Sequence, residues 1–315
     1  MPSVITITFN PCIDKSVEVP QLIPEKKLSC TLPKMEAGGG GINVARAITK
    51  LGGEALAIFP GGGAQGKLLK DLLLEEAVPV VQVDTGREIR ENWIVLETST
   101  NHQFRFGMPG PVLPDAIWQD CLDRVAQEGD AAFIVVSGSL PEGFPTNIFE
   151  RIAAVAEKKH ARLVVDTSGI ALQHALRHGV HLIKPSINEL NSLIAALQLD
   201  ASSPVAAAQE IVKRGYAEAV VVSMGPEGAM LVTGSIVKHI KPPTVKKAST
   251  VGAGDSMVAG IVHSLARHAS LEDAVTYGVA CGTAATMNPG TALCKLEDVE
   301  LLHDMIRKQY RDLVS

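Results

Sequence analysis

The residues best placed to do chemistry in this chain lie together in Ser249-Thr250-Val251-Gly252-Ala253-Gly254-Asp255. Small residues and glycines let the backbone turn tightly there, and an apolar helical pattern, Met257-Val258-Ala259 through Leu265, follows at once. The first N–H groups of a helix have no intrahelical partner and sit at the positive end of its dipole. A glycine turn opening such a helix is suited to hold an anion, phosphate above all. Asp255 stands at the rim of that hole. A carboxylate there can draw the proton from a hydroxyl as its oxygen attacks phosphorus. The structural alternative is an Asp capping a helix after a glycine turn, and spacing alone leaves both open.

Other segments could complete such a site. Gly38-Gly39-Gly40-Gly41 precedes the helical pattern Ile42-Asn43-Val44-Ala45-Arg46. Glycine permits close backbone approach to a ligand at an entropic cost, and Asn43 offers a fixed polar group, so a ligand loop is favoured over a flexible connection. The run is not a dinucleotide fingerprint, whose third glycine would fall on Val44. Gly61 to Lys67 starts like a P-loop, but Leu68 stands where a magnesium-binding Ser or Thr belongs, so a tight strand-to-helix turn is expected. Asn10-Pro11-Cys12-Ile13-Asp14 reads as the end of the first strand, where Asp14 would either accept from ligand hydroxyls or decorate a surface turn. Lys27, Arg90 and Arg105 are isolated basic residues of the kind usually just solvated, yet two arginine forks could clamp a phosphate. Lys184-Pro185-Ser186-Ile187-Asn188-Glu189 follows a strand and opens a helix, with Glu189 favourable to the dipole. Ser223-Met224-Gly225-Pro226-Glu227-Gly228 fits a nucleotide edge or a hairpin equally.

The elements that must position these residues follow from length and hydrophobic pattern. The chain has 315 residues, 46% hydrophobic, enough for one large α/β domain with a sizeable core. A net charge of -5 argues against nucleic acid or an anionic membrane surface as the main partner. Met1 to Asn10 lacks the basic start of a signal peptide and no apolar stretch is long enough for a membrane span, so a cytoplasmic protein is expected. Five scattered cysteines without a C-x-x-C pair suit a reducing compartment, and nine dispersed histidines show no metal-ligand spacing. Apolar β-branched runs at Ile5–Phe9, Ala55–Phe59, 132–136, Leu163–Val165, His181–Ile183 and Ala219–Val222 alternate with helical patterns such as Ile42–Leu51, 146–158, 187–197 and 205–214. That alternation predicts a mainly parallel sheet covered by helices. Asp14 to Met35 and Arg87 to Met108 are more polar and strand-like, and are expected to form a small second sheet over a cleft. No linker divides the chain, which predicts one domain, 1–315, with a lid.

Together these residues resemble the ribokinase-like (PfkB) family of carbohydrate kinases. Thr250 to Asp255 matches its C-terminal signature and Gly38 to Arg46 its N-terminal one. Arg105-Phe106, Met108-Pro109-Gly110, Ser137-Gly138-Ser139-Leu140-Pro141 and Ser249 to Met257 place the chain nearest the family's bacterial minor 6-phosphofructokinases. The resemblance implies a Rossmann-like core with a β lid through which two copies dimerise. It also implies ATP with Mg²⁺ as phosphoryl donor, O1 of fructose 6-phosphate as acceptor, and a role in glycolysis. By the same resemblance, Asp255 is the base and Gly252, Ala253 and Gly254 the anion hole. Asp14, Gly39, Asn43, Arg90, Arg105 and Ser139 fall on sugar-phosphate positions, with Lys27 on the lid near the phosphates. Lys184, Ser186, Ser223, Met224, Gly225, Pro226, Glu227, Gly228, Thr250, Val279 and Thr283 fall along the nucleotide site. Glu189 matches a residue that holds Mg²⁺ through water. Ser249, Val251, Ala285, Asn288, Gly290 and Ala292 match a potassium loop. The chain departs from the pattern at Ser186, usually Asn, at Ala292, Arg in the nearest relatives, and at Lys247, which replaces a serine near the adenosine. The strand end Asn10 to Asp14 is more like 1-phosphofructokinases and tagatose-6-phosphate kinases, which are the rival activities. A sugar-phosphate sensor without catalysis is the rival of another class.

Overall fold

Each apolar run identified above becomes a strand, because residues apolar on both sides can be buried only where helices cover both faces of a sheet. A computed structural model describes residues 3–314; Met1 and Pro2 of the N-terminal stretch read above, with Ser315, lie outside the described residues. The strands are β1 Val4–Ile7, β2 Cys12–Val19, β3 Lys34–Gly38, β4 Ala55–Gly62, β5 Val80–Glu88, β6 Arg90–Glu97, β7 His102–Gly107, β8 Phe133–Ser137, β9 Arg162–Asp166, β10 Val180–Ile183, β11 Ala217–Ser223, β12 Ala229–Thr233 and β13 Val237–Ile240. Between and after them run α1 Gly40–Lys50, α2 Gly63–Glu75, α3 Asp115–Gln127, α4 Ile148–Lys158, α5 Gly169–Leu176, α6 Ile187–Ala196, α7 Pro204–Lys213, α8 Ala253–Ala266, α9 Leu271–Thr286 and α10 Leu296–Val314.

The large sheet has the order β13-β12-β11-β10-β9-β8-β1-β4-β5, parallel from β5 to β11 and antiparallel at β12 and β13. This is the ribokinase-like α/β architecture, with a second, smaller sheet. Alternation along each strand feeds two cores. Phe133 and Val135 of β8 join the core under α1, α8 and α9, whereas Ile134 and Val136 join the one under α3 to α7. The chain moves from β1 first to β4 and later to β8, its other neighbour. Such a switch point opens a crevice at the carboxyl ends of the strands.

The two polar excursions form the small sheet, in the order β3-β2-β6-β7. Here the structure corrects one reading of the sequence. β1 stops at Ile7, and Cys12 begins a separate strand that pairs with β3 and β6. Asp14 therefore stands on the small sheet and not at the end of the first strand. Asn10-Pro11 marks the break, since proline lacks the N–H that a ladder needs. The Gly61–Lys67 stretch is the expected strand-to-helix turn. The N–H groups of Ala64 and Gln65 donate to the Glu88 carboxylate, each at 2.9 Å, so this helix start already holds an anion of its own.

Candidate active site

The crevice is lined by whatever follows each parallel strand. Asn10 follows β1, Ser139 follows β8, Asp166 ends β9 and Lys184 follows β10. Asn10 Nδ2 donates to Ser139 Oγ at 3.0 Å. The glycine run brings α1 onto these strand ends: a Cβ on Gly40 would lie 2.4 Å from the Gly138 nitrogen. Close packing of backbone on backbone thus already requires glycine there, and only Gly39, at φ 116°, lies between β3 and α1.

The same packing aims Asn43 at α8. Its Nδ2 donates to Asp255 Oδ2 at 2.9 Å, joining the two sequence signatures directly. Arg46 fixes that amide by donating from Nη1 to Asn43 Oδ1 at 3.2 Å, and is itself held on Glu76 at 2.6 Å. Gly252 adopts φ 73°, the left-handed region that favours glycine, and opens α8 without any side-chain cap. The N–H groups of Ala253, Gly254 and Asp255 have no acceptor among the described residues. They are the free donors that an anion hole needs.

Burial pushes the Asp255 carboxyl up to about 6, helped by the negative charge of Asp166 and opposed by Asn43 and Lys184. A carboxylate poised near neutral pH suits a general base. Behind it, Asp166 and Lys184 form a buried ion pair at 3.2 Å. Burial disfavours the Lys184 ammonium, but Asp166 outweighs it and holds the group charged. The ammonium also lies beside the start of α8, 3.4 Å from where a Cβ on Gly254 would stand.

The small sheet closes the other side. Its pairing register places Cys12 and Asp14 of β2, Arg90 and Asn92 of β6 and Arg105 of β7 on one face. Arg90 donates to the Asn10 carbonyl at 3.1 Å and to Asn92 Oδ1 at 2.9 Å. Arg105 Nη2 donates to Thr250 Oγ1 at 3.3 Å, so this sheet touches the glycine turn that opens α8. Lys27 sits on the exposed segment between β2 and β3, outside these hydrogen bonds.

Beyond Lys184 in sequence, Ser186 and Glu189 make a reciprocal capping box at the start of α6. Glu189 thus has a structural duty beyond the dipole, with Oε2 accepting from the Ser186 N–H at 2.7 Å. Ser223 ends β11 and donates its N–H to the Pro185 carbonyl at 2.8 Å. Met224 to Gly228 form the β11–β12 turn, with Gly225–Glu227 as a 3₁₀ turn. Val279 is buried on α9 and accepts from Thr283 Oγ1 at 2.8 Å.

A family model for pfkB carbohydrate kinases matches residues 4–298. The chain belongs to that family. Among its pfkB relatives, the ATP-dependent 6-phosphofructokinase isozyme 2 of Escherichia coli (strain K12) is 44% identical over 304 residues, 96% of this chain and 98% of that protein. The isozyme 2 of Mycobacterium tuberculosis (strain H37Rv) is 41% identical over 96% of this chain and 90% of its own length. The crystal structure of E. coli phosphofructokinase-2 in complex with fructose-6-phosphate superposes with a TM-score of 0.90 at 43% identity, covering 98% of this chain and 100% of that one.

The pfkB residues also bear on ions. Among the described residues no group of three His, Cys, Asp or Glu side chains could hold a metal. Mg²⁺ is commonly held by one or two carboxylates with substrate phosphates and waters, and needs no such cluster. The loops 249–251 and 285–292 are joined by Ser249 Oγ donating to the Gly290 carbonyl at 2.7 Å and by the Ser249 N–H donating to the Thr286 carbonyl at 3.2 Å. Asn288 donates through Nδ2 to the carbonyls of Ala284 and Leu293. Main-chain carbonyls and an amide oxygen are the type of donor that suits potassium.

Sequence reasoning missed Asp166, Asn92, Asn10 and Arg46. An Asp ending an apolar strand is the signal that could have found Asp166. Asn10 acts through Ser139, 129 positions away, and Asn92 through Asp14, 78 positions away; Arg46 reaches Asn43 within one helical turn but is held by Glu76, 30 positions on.

Proposed function

We propose that this protein transfers the γ-phosphoryl group of ATP to O1 of fructose 6-phosphate, giving fructose 1,6-bisphosphate and ADP. The observation that carries the reading is Asp255: a partly buried carboxylate with its pKa pushed to about 6, in the first turn of a helix whose leading N–H groups are free among the described residues. The O1 hydroxyl donates to Asp255, which takes its proton as the oxygen bonds to the γ-phosphorus. The bond to the bridging oxygen breaks and ADP leaves with the electron pair. The Ala253, Gly254 and Asp255 N–H groups and the Lys184 ammonium stabilise charge on the transferring oxygens. When bound with ATP, Mg²⁺ supplies further charge neutralisation, with Glu189 reaching it through water. Ser186 and 223–228, Thr250, Val279 and Thr283 border the nucleotide.

The sugar phosphate lies under the small sheet, which acts as the lid of one kinase domain, 1–315. Arg90 and Arg105 hold the 6-phosphate, Asp14, Asn43, Gly39 and Ser139 hold the hydroxyls, and Lys27 joins on closure. Carbonyls at Ser249, Val251, Ala285, Gly290 and Ala292, with Asn288, hold K⁺. The outer face of the lid exposes Met35, Phe104 and Phe106, apolar side chains that a second copy would cover in a homodimer. No helix among the described residues is long and apolar enough to cross a membrane. The enzyme works in the cytoplasm, on small molecules rather than nucleic acid.

An ADP-release assay over a sugar panel tests this. Fructose 6-phosphate should show the highest kcat/KM, and free fructose little turnover. A higher kcat/KM for fructose 1-phosphate or tagatose 6-phosphate, or no turnover of any sugar, would overturn the assignment.

A further inference from the structure

Asn92 lies in the middle of the inward face of the small sheet, directly across from Asp14 on β2 and from Gly107 on β7. All of its hydrogen-bonding positions are spent. Oδ1 accepts from Arg90 Nη1 at 2.9 Å and from the Met108 N–H at 3.4 Å. Nδ2 donates to Asp14 Oδ1 at 2.9 Å and to Cys12 Sγ at 3.2 Å. Cys12 Sγ in turn donates to the same Asp14 oxygen at 3.3 Å. Both donors therefore meet Oδ1, and Asp14 Oδ2 remains as the oxygen free to accept a ligand hydroxyl.

A guanidinium and a carboxylate this close on one partly buried face attract each other strongly. Paired directly, Arg90 and Asp14 would occupy each other and present neither charge to a substrate. The neutral amide between them prevents this, giving its acceptor end to the cation and its donor end to the anion. We infer that Asn92 is a positioning residue: it holds Arg90 and Asp14 apart and oriented, so that one substrate engages both. The inference rests on the reading of Arg90 and Asp14 as sugar-phosphate contacts.

Steady-state kinetics of Asn92→Ala, Arg90→Ala and the double variant test it. Hydrogen bonds to charged groups are worth enough to give about a 10- to 100-fold effect when lost. Asn92→Ala should raise KM for fructose 6-phosphate by that factor, with kcat and the KM for ATP little changed. Because both residues act through one chain of bonds, the double variant should lose far less than the product of the two single effects. A folding defect would not produce that split or that coupling. Asn92→Ser, which retains one hydrogen-bonding group, is the second variant should alanine impair folding, and its KM should fall between. If Arg90→Ala raises KM while the Asn92 variants do not, or if the effects multiply, the role of Asn92 is wrong. If Arg90→Ala itself leaves KM unchanged, the sugar-phosphate reading falls, and this inference with it.

Discussion

Replacing Asp255 by asparagine should stabilise the folded protein at neutral pH while removing its activity. The carboxyl is partly buried and its pKa stands at about 6 instead of 3.8, with burial the largest cause. Between those values the folded protein holds the proton more tightly than the unfolded chain does. Stability therefore falls as pH rises through this window, and the full cost stands above pH 6. A shift of about two units at 1.36 kcal/mol each gives about 3 kcal/mol. Asparagine has no charge to desolvate, and its Oδ1 can still accept from Asn43 Nδ2. At pH 8 the variant should be more stable by up to about 3 kcal/mol, or about 4 °C in Tm for a chain of this size. The assay is urea and thermal unfolding of both proteins from pH 5 to 8. The gain should shrink as pH falls through 6. A variant no more stable than wild type at pH 8, or a gain independent of pH, would refute the claim that a buried charge is held here at a cost.

Other expectations concern the residues around it. Arg105→Ala should cost about 1.5–3 kcal/mol in kcat/KM for fructose 6-phosphate, mainly through KM, because the contact is remote from the reacting hydroxyl; an unchanged KM places the phosphate elsewhere. Asp166→Ala should destabilise the fold by about 3–5 kcal/mol in denaturant unfolding, since it leaves the buried Lys184 ammonium unpaired. Asp166→Ala with Lys184→Met together should cost less than Asp166→Ala alone. At fixed ionic strength, K⁺ should raise activity over Na⁺ despite Ala292, because the donors are carbonyls and Asn288; equal rates in both salts count against the loop.

Much of this architecture was legible from hydrophobic pattern. The apolar β-branched runs became the parallel strands, within a few residues of the expected bounds, and the two polar excursions became the second sheet. That pattern is a local property. Asp14 was placed on the wrong element because Cys12–Val19 owes its strand to pairing with β3 and β6, and β6 is far away in sequence. The glycine run was legible as special, but its packing against Gly138 was not. Asp255 stood out because a glycine turn, a helix start and a carboxylate coincide within seven residues. Its partner Asn43 is 212 positions away, and Asp166 and Lys184 are matched only by the sheet order. Distant pairs of this kind are set by topology, which a single sequence does not display.

That Asp255 takes the proton from the attacking hydroxyl is tested most directly by kcat of Asp255→Asn with ATP and fructose 6-phosphate. General-base catalysis typically contributes about 10²–10⁴-fold, so kcat should fall by that factor, with sugar binding largely retained. A variant keeping more than about a tenth of wild-type kcat, well outside that range, would contradict it.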